Sequence, residues 1–168
     1  LKVVFWQYHR QFIRQELKIT EEYGNILTII DFGNVNYWYE KDRQDSDSKL
    51  LFDSEKLQID LSGLYDFTRT FSDNIRFYYG MDSSNEASIR HISAVKYKFG
   101  KNRVFSKQIQ YICHHLLRNE VQANTRQTFS DRDGLFVRIP KCNFDVEICV
   151  DSIRKMASYN TLVLFSSD

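Results

Sequence analysis

Apolar and polar positions follow two different rhythms along this chain. Val4, Phe5, Tyr8, Phe12, Ile13 and Leu17 recur at a spacing nearer 3.6 than 2, which predicts an amphipathic helix over residues 1–22. Ile26 to Ile30 is instead an unbroken β-rich run, opened by Gly24-Asn25 and closed by Asp31, the pattern of a strand buried on both faces. Leu57, Leu61, Leu64, Phe67 and Phe71 predict a helix, Ile75 to Tyr79 a second strand, and Ser84 to Phe99 a helix ended by Gly100,. Arg103 to Ile112 reads as a strand, followed by a polar connection that runs from 113 to the Asp133-Gly134 turn,. Val146, Cys149, Val150, Ile153, Met156 and Ala157 form the clearest helical stripe,. Thr161 to Phe165 is the last strand.

Strands that alternate with helices through loops too long for hairpins point to parallel crossovers and a layered α/β sheet. Lys41 to Lys49 has no apolar residue and reads as a loop,. A chain of 168 residues suits one domain. No internal repeat or interdomain linker divides it.

Composition narrows the function classes. With 42% apolar and 27% charged residues, one proline and six glycines, the chain is neither disordered nor of low complexity. Its 23 Lys plus Arg against 22 Asp plus Glu leave +1, so bulk charge favours no nucleic-acid or membrane partner and any electrostatic site must be local. The longest apolar runs, 26–30 and 162–165, fall far short of the roughly 20 residues a bilayer requires. Lys2, His9 and Arg10 interrupt the start, unlike a signal peptide. The expectation is no membrane partner and a cytoplasmic or nuclear location. Cys113, Cys142 and Cys149 are isolated and form no C-x-x-C pair, which suits a reducing compartment; they read as core fillers.

Ligands of a parallel sheet bind outside the carboxyl ends of its strands. Asp31 follows the first buried strand and Asp168 the last, so two carboxylates converge if those strands run parallel. Asp145 opens the strongly periodic helix, where the helix dipole favours an acid. Converging carboxylates repel one another unless a cation joins them, and Mg²⁺ or Mn²⁺ takes such oxygen ligands and can activate water against a phosphodiester. Each aspartate alone also fits a capping or strand-terminating role. Asp151 follows Asp145 by six residues, about 240° around a helix, and reads either as a further ligand or as a partner of Arg154 or Lys155. Asp82 is a weaker candidate that also suits a turn before Ser83-Ser84.

Four motifs in order carry a family resemblance: Ile29-Ile30-Asp31-Phe32-Gly33-Asn34, Arg76-Phe77-Tyr78-Tyr79-Gly80, Lys141-Cys142-Asn143-Phe144-Asp145-Val146-Glu147 with Asp151, and Leu162-Val163-Leu164-Phe165-Ser166-Ser167-Asp168. Together they resemble an NYN domain of the LabA-like group, within the larger PIN-like nuclease fold. The resemblance spans about residues 25–168. It implies a three-layer α/β/α sandwich with a mainly parallel central sheet, and a metal-dependent ribonuclease site formed by Asp31, Asp145 and Asp168. Asn34 would orient a carboxylate or water. The domain is then residues 23–168, preceded by the helix of 1–22. The family's last motif usually reads Ser-x-Asp-x-Asp-Phe, so a second acid is expected just beyond Asp168.

Residues 87–118 hold seven Lys or Arg and no Asp or Glu, a local excess that would attract phosphates. Lys96, Lys98, Lys101, Arg103 and Lys107, together with Lys141 near Asp145, are the candidate nucleic-acid contacts. Tyr97, Phe99 and Tyr111 offer stacking faces or core rings, and Tyr37, Trp38 and Tyr39 could supply a ring that flanks the site. No G-x-G-x-x-G or P-loop is present,. Gly33 stands where an aspartyl phosphatase would place its second aspartate, and His114-His115 lacks the spacing of helical zinc ligands,. The leading expectation is a Mg²⁺- or Mn²⁺-dependent ribonuclease acting on RNA, with DNA also open. The alternatives are an inactive RNA- or protein-binding module, and a homo-oligomeric or partner-docking scaffold that uses residues 1–22.

Overall fold

All six residues of β1 (Ile26–Asp31) are buried. They can be, because the strand lies inside a four-stranded sheet in the order β3-β2-β1-β7. Its neighbours are β2 (Asn74–Met81) and β7 (Thr161–Phe165), with β3 (Val104–Gln108) on the far side of β2. Every pairing is parallel. The computed structural model describes residues 2–36, 38–39, 42, 44, 49–50, 57–122, 124 and 126–166, with residues 2–5 by backbone only.

Alternate residues of the sheet feed two cores. Ile30, Ile75 and Phe77 pack with Ile92, Val95 and Phe99 of α4 (Glu86–Phe99), backed by Leu61 and Leu64 of α3 (Leu61–Arg69). Leu27, Ile29 and Tyr78 face the other way, onto Phe144 and Ile148 at the start of α6 (Asp145–Lys155). Helices therefore cover both faces of a parallel sheet, and the chain is an α/β protein. Each fully buried Leu, Ile or Phe contributes about 1.5–3 kcal/mol. Asp60 caps α3 through the Ser62 and Gly63 amides, and Asn85 caps α4 through those of Ala87 and Ser88. Gly100, at φ +93°, ends α4 as its position in the sequence suggests,.

The leading helix, α1 (Lys2–Glu16), rests on the connection between α3 and β2 through polar contacts. Arg10 donates to the Thr70 carbonyl at 3.0 Å and pairs with Asp73 at 3.3 Å, while Tyr8 and Phe12 stay exposed. No described helix is long and apolar enough to cross a membrane.

Three features depart from the sequence reading. The strand expected over 103–112 divides at Ile109, whose amide bonds the Met81 carbonyl at 2.9 Å. Beyond it, β4 (Gln110–His115) leaves the parallel sheet. The segment read as a polar connection is structured: α5 (Arg118–Val121), β5 (Thr128–Asp131) and β6 (Gly134–Lys141) follow, and β4-β6-β5 form an antiparallel ribbon. Cys113 and Cys149 are exposed, so neither fills a core.

The apolar stripe of α6 also points outward, although such a stripe normally faces a core: Val146, Ile153 and Met156 are 73%, 69% and 67% exposed. The reason lies on β2. Arg76 projects toward α6, stacks over the Phe105 ring at 4.3 Å and pairs with Asp151 at 2.8 Å; Tyr78 donates its hydroxyl to the same carboxylate. With side chains only 14% and 19% exposed, this ion pair turns the Ile148 and Asp151 side of α6 inward and its Val146, Ile153 and Met156 side out. Burial and the Asp151 bond push the Tyr78 hydroxyl pKa well above its ordinary value.

Candidate functional site

Asp31 ends β1 and is buried, 8% exposed. It occupies the N-cap position of the short helix α2 (Phe32–Val35) yet makes no side-chain capping bond. Capping therefore does not account for its carboxylate. Instead, Asn34 donates to Asp31 Oδ2 at 3.0 Å and to Ser166 Oγ at 3.0 Å, which links the exits of β1 and β7. The register pairs Ile30 with Phe165, so both strands reach the same edge. Phe32, buried against Phe77 at 5.0 Å and His91 at 5.3 Å, fixes the backbone immediately after the acid. Burial pushes the His91 imidazole below its ordinary pKa and favours its neutral form,.

Asp145 reaches this edge from the first turn of α6. Asn143 accepts from the Asp145 amide at 2.7 Å and donates to its carboxylate at 2.8 Å, which orients the group. Phe144 is buried on Tyr78 at 5.6 Å. Lys107 lies over the Phe144 ring at 4.7 Å and pairs with Glu147, closing this turn onto β3. The segment can approach the sheet because residue 80 is glycine: a Cβ there would stand 2.7 Å from Cys142 Cβ and 2.9 Å from Ile109 Cγ1. No larger residue fits without moving backbone.

These elements enclose a cavity of about 350 Å³ lined by Asp31, Asn34, Tyr79, Lys141, Cys142 and Asp145, among others. Burial raises the Cys142 thiol pKa, and the carboxylates of Asp31 and Asp145 supply the cavity's anionic oxygen donors. That donor set fits a hard divalent cation that keeps several waters. A soft, thiolate-loving ion fits it poorly.

Of the residues singled out by sequence, the structure brings Asp31, Asn34, Asp145 and Lys141 to one cavity. Asp168 and Tyr37 lie outside the described residues. Asp151 does not line this cavity, and its partner is Arg76 on β2 rather than Arg154 or Lys155 on its own helix. The basic residues sit elsewhere too. Lys96, Lys98, Lys101 and Arg103 fall at the carboxyl end of α4 and just before β3, where Lys98 pairs with Asp66 at 3.6 Å. Lys107 is engaged by Glu147. Asp82 is buried and accepts from the Tyr111 hydroxyl at 2.6 Å and from the Ser84 amide at 3.0 Å, bonds that hold its pKa down to about 2. It is a structural turn residue. Trp38 stacks on Phe165 at 6.0 Å.

Sequence reasoning missed Tyr79, Gly80, Cys142 and Asn143 as cavity residues. Gly80 carried a usable signal, since glycine inside a strand often marks close backbone approach. Comparison of the chain with protein-family models, curated proteins and solved structures gives no match.

Proposed function

We propose that this chain is a PIN-like domain of the NYN type and a metal-dependent ribonuclease that hydrolyses RNA phosphodiester bonds. The observation that carries this reading is the meeting of Asp31 and Asp145 in one cavity at the carboxyl edge of a parallel sheet, with Asn34 tying Asp31 to the exit of β7. Asp31 and Asp145 are the residues that would hold Mg²⁺ or Mn²⁺, joined by Asp168. Such an ion supplies an activated water and neutralises charge on the phosphate. Asn34 orients the Asp31 carboxylate, and Lys141 at the cavity wall positions a phosphate oxygen. Phe144 and Gly80 keep the α6 turn close enough for Asp145 to act with Asp31.

The test is cleavage of labelled RNA and DNA by the chain with Mn²⁺, with Mg²⁺ and with chelator. Asp31→Asn and Asp145→Asn are each expected to lower the rate about a hundredfold or more, the scale set by several kcal/mol of lost charge stabilisation. Absence of any metal-dependent product, or a product undiminished by Asp31→Asn, refutes the reading. RNA binding that persists without turnover would instead identify a binding module.

A further inference from the structure

The antiparallel ribbon carries a second group of metal-capable side chains, separate from the cavity. His115 ends β4, Asp131 ends β5, and Asp133 stands in the turn to β6; one ligand atom from each lies within 4.8 Å of the others. The two outer strands flank β6 and do not pair with each other. His115 and Asp131 therefore meet across the middle strand, with Nε2 at 3.1 Å from both carboxylate oxygens. Ligands on a four-coordinate ion with bonds of about 2.0 Å stand roughly 3.3 Å apart, so the pair already has the separation of two adjacent ligands. Beside them the strand offers Gly134, and nothing lies within 4 Å of where its Cβ would be. All three side chains are exposed, so water can complete the shell of an ion held there.

The ribbon's own composition gives an independent reason to look for a ligand. Every residue of β4 is exposed, and Phe136 and Val137 are the only buried apolar side chains of the three strands. Structural units with so little core are commonly stapled by a disulfide or a metal. Cys113 is the ribbon's sole cysteine, so no disulfide can form within it.

We propose that His115, Asp131 and Asp133 bind a divalent transition ion of the zinc class, which staples β4 to β5 across β6. One imidazole nitrogen and two carboxylate oxygens form the protein's ligand set, and solvent completes the shell. An imidazole ligand selects zinc-like ions over Mg²⁺ or Ca²⁺, which prefer oxygen alone. Neighbouring His114 turns to the opposite face of β4, toward Glu120 at 3.6 Å.

Calorimetric titration of the whole chain with Zn²⁺ and, separately, Mg²⁺ tests the site. Beyond any ion taken up by the cavity, the expected result is one equivalent of Zn²⁺ bound with a micromolar dissociation constant, for which Mg²⁺ does not compete, and a rise in melting temperature on Zn²⁺ addition. His115→Ala should weaken Zn²⁺ by more than about tenfold. Asp133→Asn, which keeps the His115–Asp131 pair, should also weaken it while circular dichroism stays native. His114→Ala and Asp31→Asn should leave Zn²⁺ affinity unchanged. No Zn²⁺ binding by the wild type at millimolar concentration, or affinity unmoved by His115→Ala, overturns the proposal. So does loss on Asp31→Asn alone, which would assign the ion to the cavity; none of these outcomes bears on RNA cleavage.

Discussion

The two sheets of this molecule are built on opposite principles. In the parallel sheet, β1 sits between two helical layers and buries every residue, so its stability is spread over many apolar contacts. In the ribbon, β4 buries none of its six residues. Backbone pairing, the Phe129–Phe136 stack and two polar links hold it: Tyr111 to Asp82 and His115 to Asp131. Apolar burial is diffuse and tolerates gradual change, whereas each polar link is specific and fails singly. The cavity lies where the two constructions meet, with Asp31 from the first and Lys141 from the end of the second.

The sharpest test of that contrast is the same truncation in both sheets. Ile29→Ala, at a fully buried position, should cost about 4 kcal/mol in denaturant unfolding. Ile112→Ala, on the exposed ribbon strand, should cost no more than about 0.5 kcal/mol. Equal costs would mean that the ribbon has a core of its own. The next largest effect concerns the Arg76–Asp151 pair under α6. Asp151→Asn leaves the half-buried Arg76 without its counter-ion and should lower stability by about 2 kcal/mol, somewhat less than for a fully buried pair. Replacing both partners, Arg76→Met with Asp151→Leu, should recover most of that loss in thermal melts. If the double variant is as unstable as the single one, the pair does more than align α6.

These differences also decide what could be read from the sequence. Ile26–Ile30 and Ile75–Tyr79 announced themselves because strands covered on both faces need continuous or near-continuous apolar runs. The helix over 84–99 was legible from its period and its glycine stop. The ribbon was legible only in part: Gln110 to Ile112 reads as the tail of a strand running on from Arg103, and nothing in the exposed Gln110–His115 marks its departure from the parallel sheet. The stripe on α6 marked a helix, but periodicity alone does not say which face turns inward; the half-buried Arg76 of β2 decided that. Asp31 and Asp145 were found by their positions at element ends. His115 with Asp131 and Asp133 was invisible, since strand pairing rather than sequence spacing brings the three together.

The smallest predicted effect lies at the joint between the two regions. Tyr111 on β4 donates to Asp82 at the exit of β2, and this bond is the largest cause of the acid's low pKa of about 2. In the unfolded chain Asp82 titrates near 3.8. The folded state therefore holds fewer protons than the unfolded one between these values, and stability falls as pH drops through them. The contribution is fully present above pH 4. Tyr111→Phe removes the hydroxyl while keeping the ring, so the Asp82 pKa should rise toward its unfolded value and the acid loss from this group should shrink. On the alkaline side, the wild-type Tyr111 hydroxyl is raised above its ordinary 10.0, so the same bond stabilises below that pH and is lost as pH climbs past it; the variant lacks this limb as well. Carboxyl titration followed by NMR reads the first effect directly. An Asp82 pKa that stays near 2 in the variant would mean that Ser84 and the turn backbone hold the carboxylate unaided, and that the ribbon is joined to the sheet by its chain rather than by this bond.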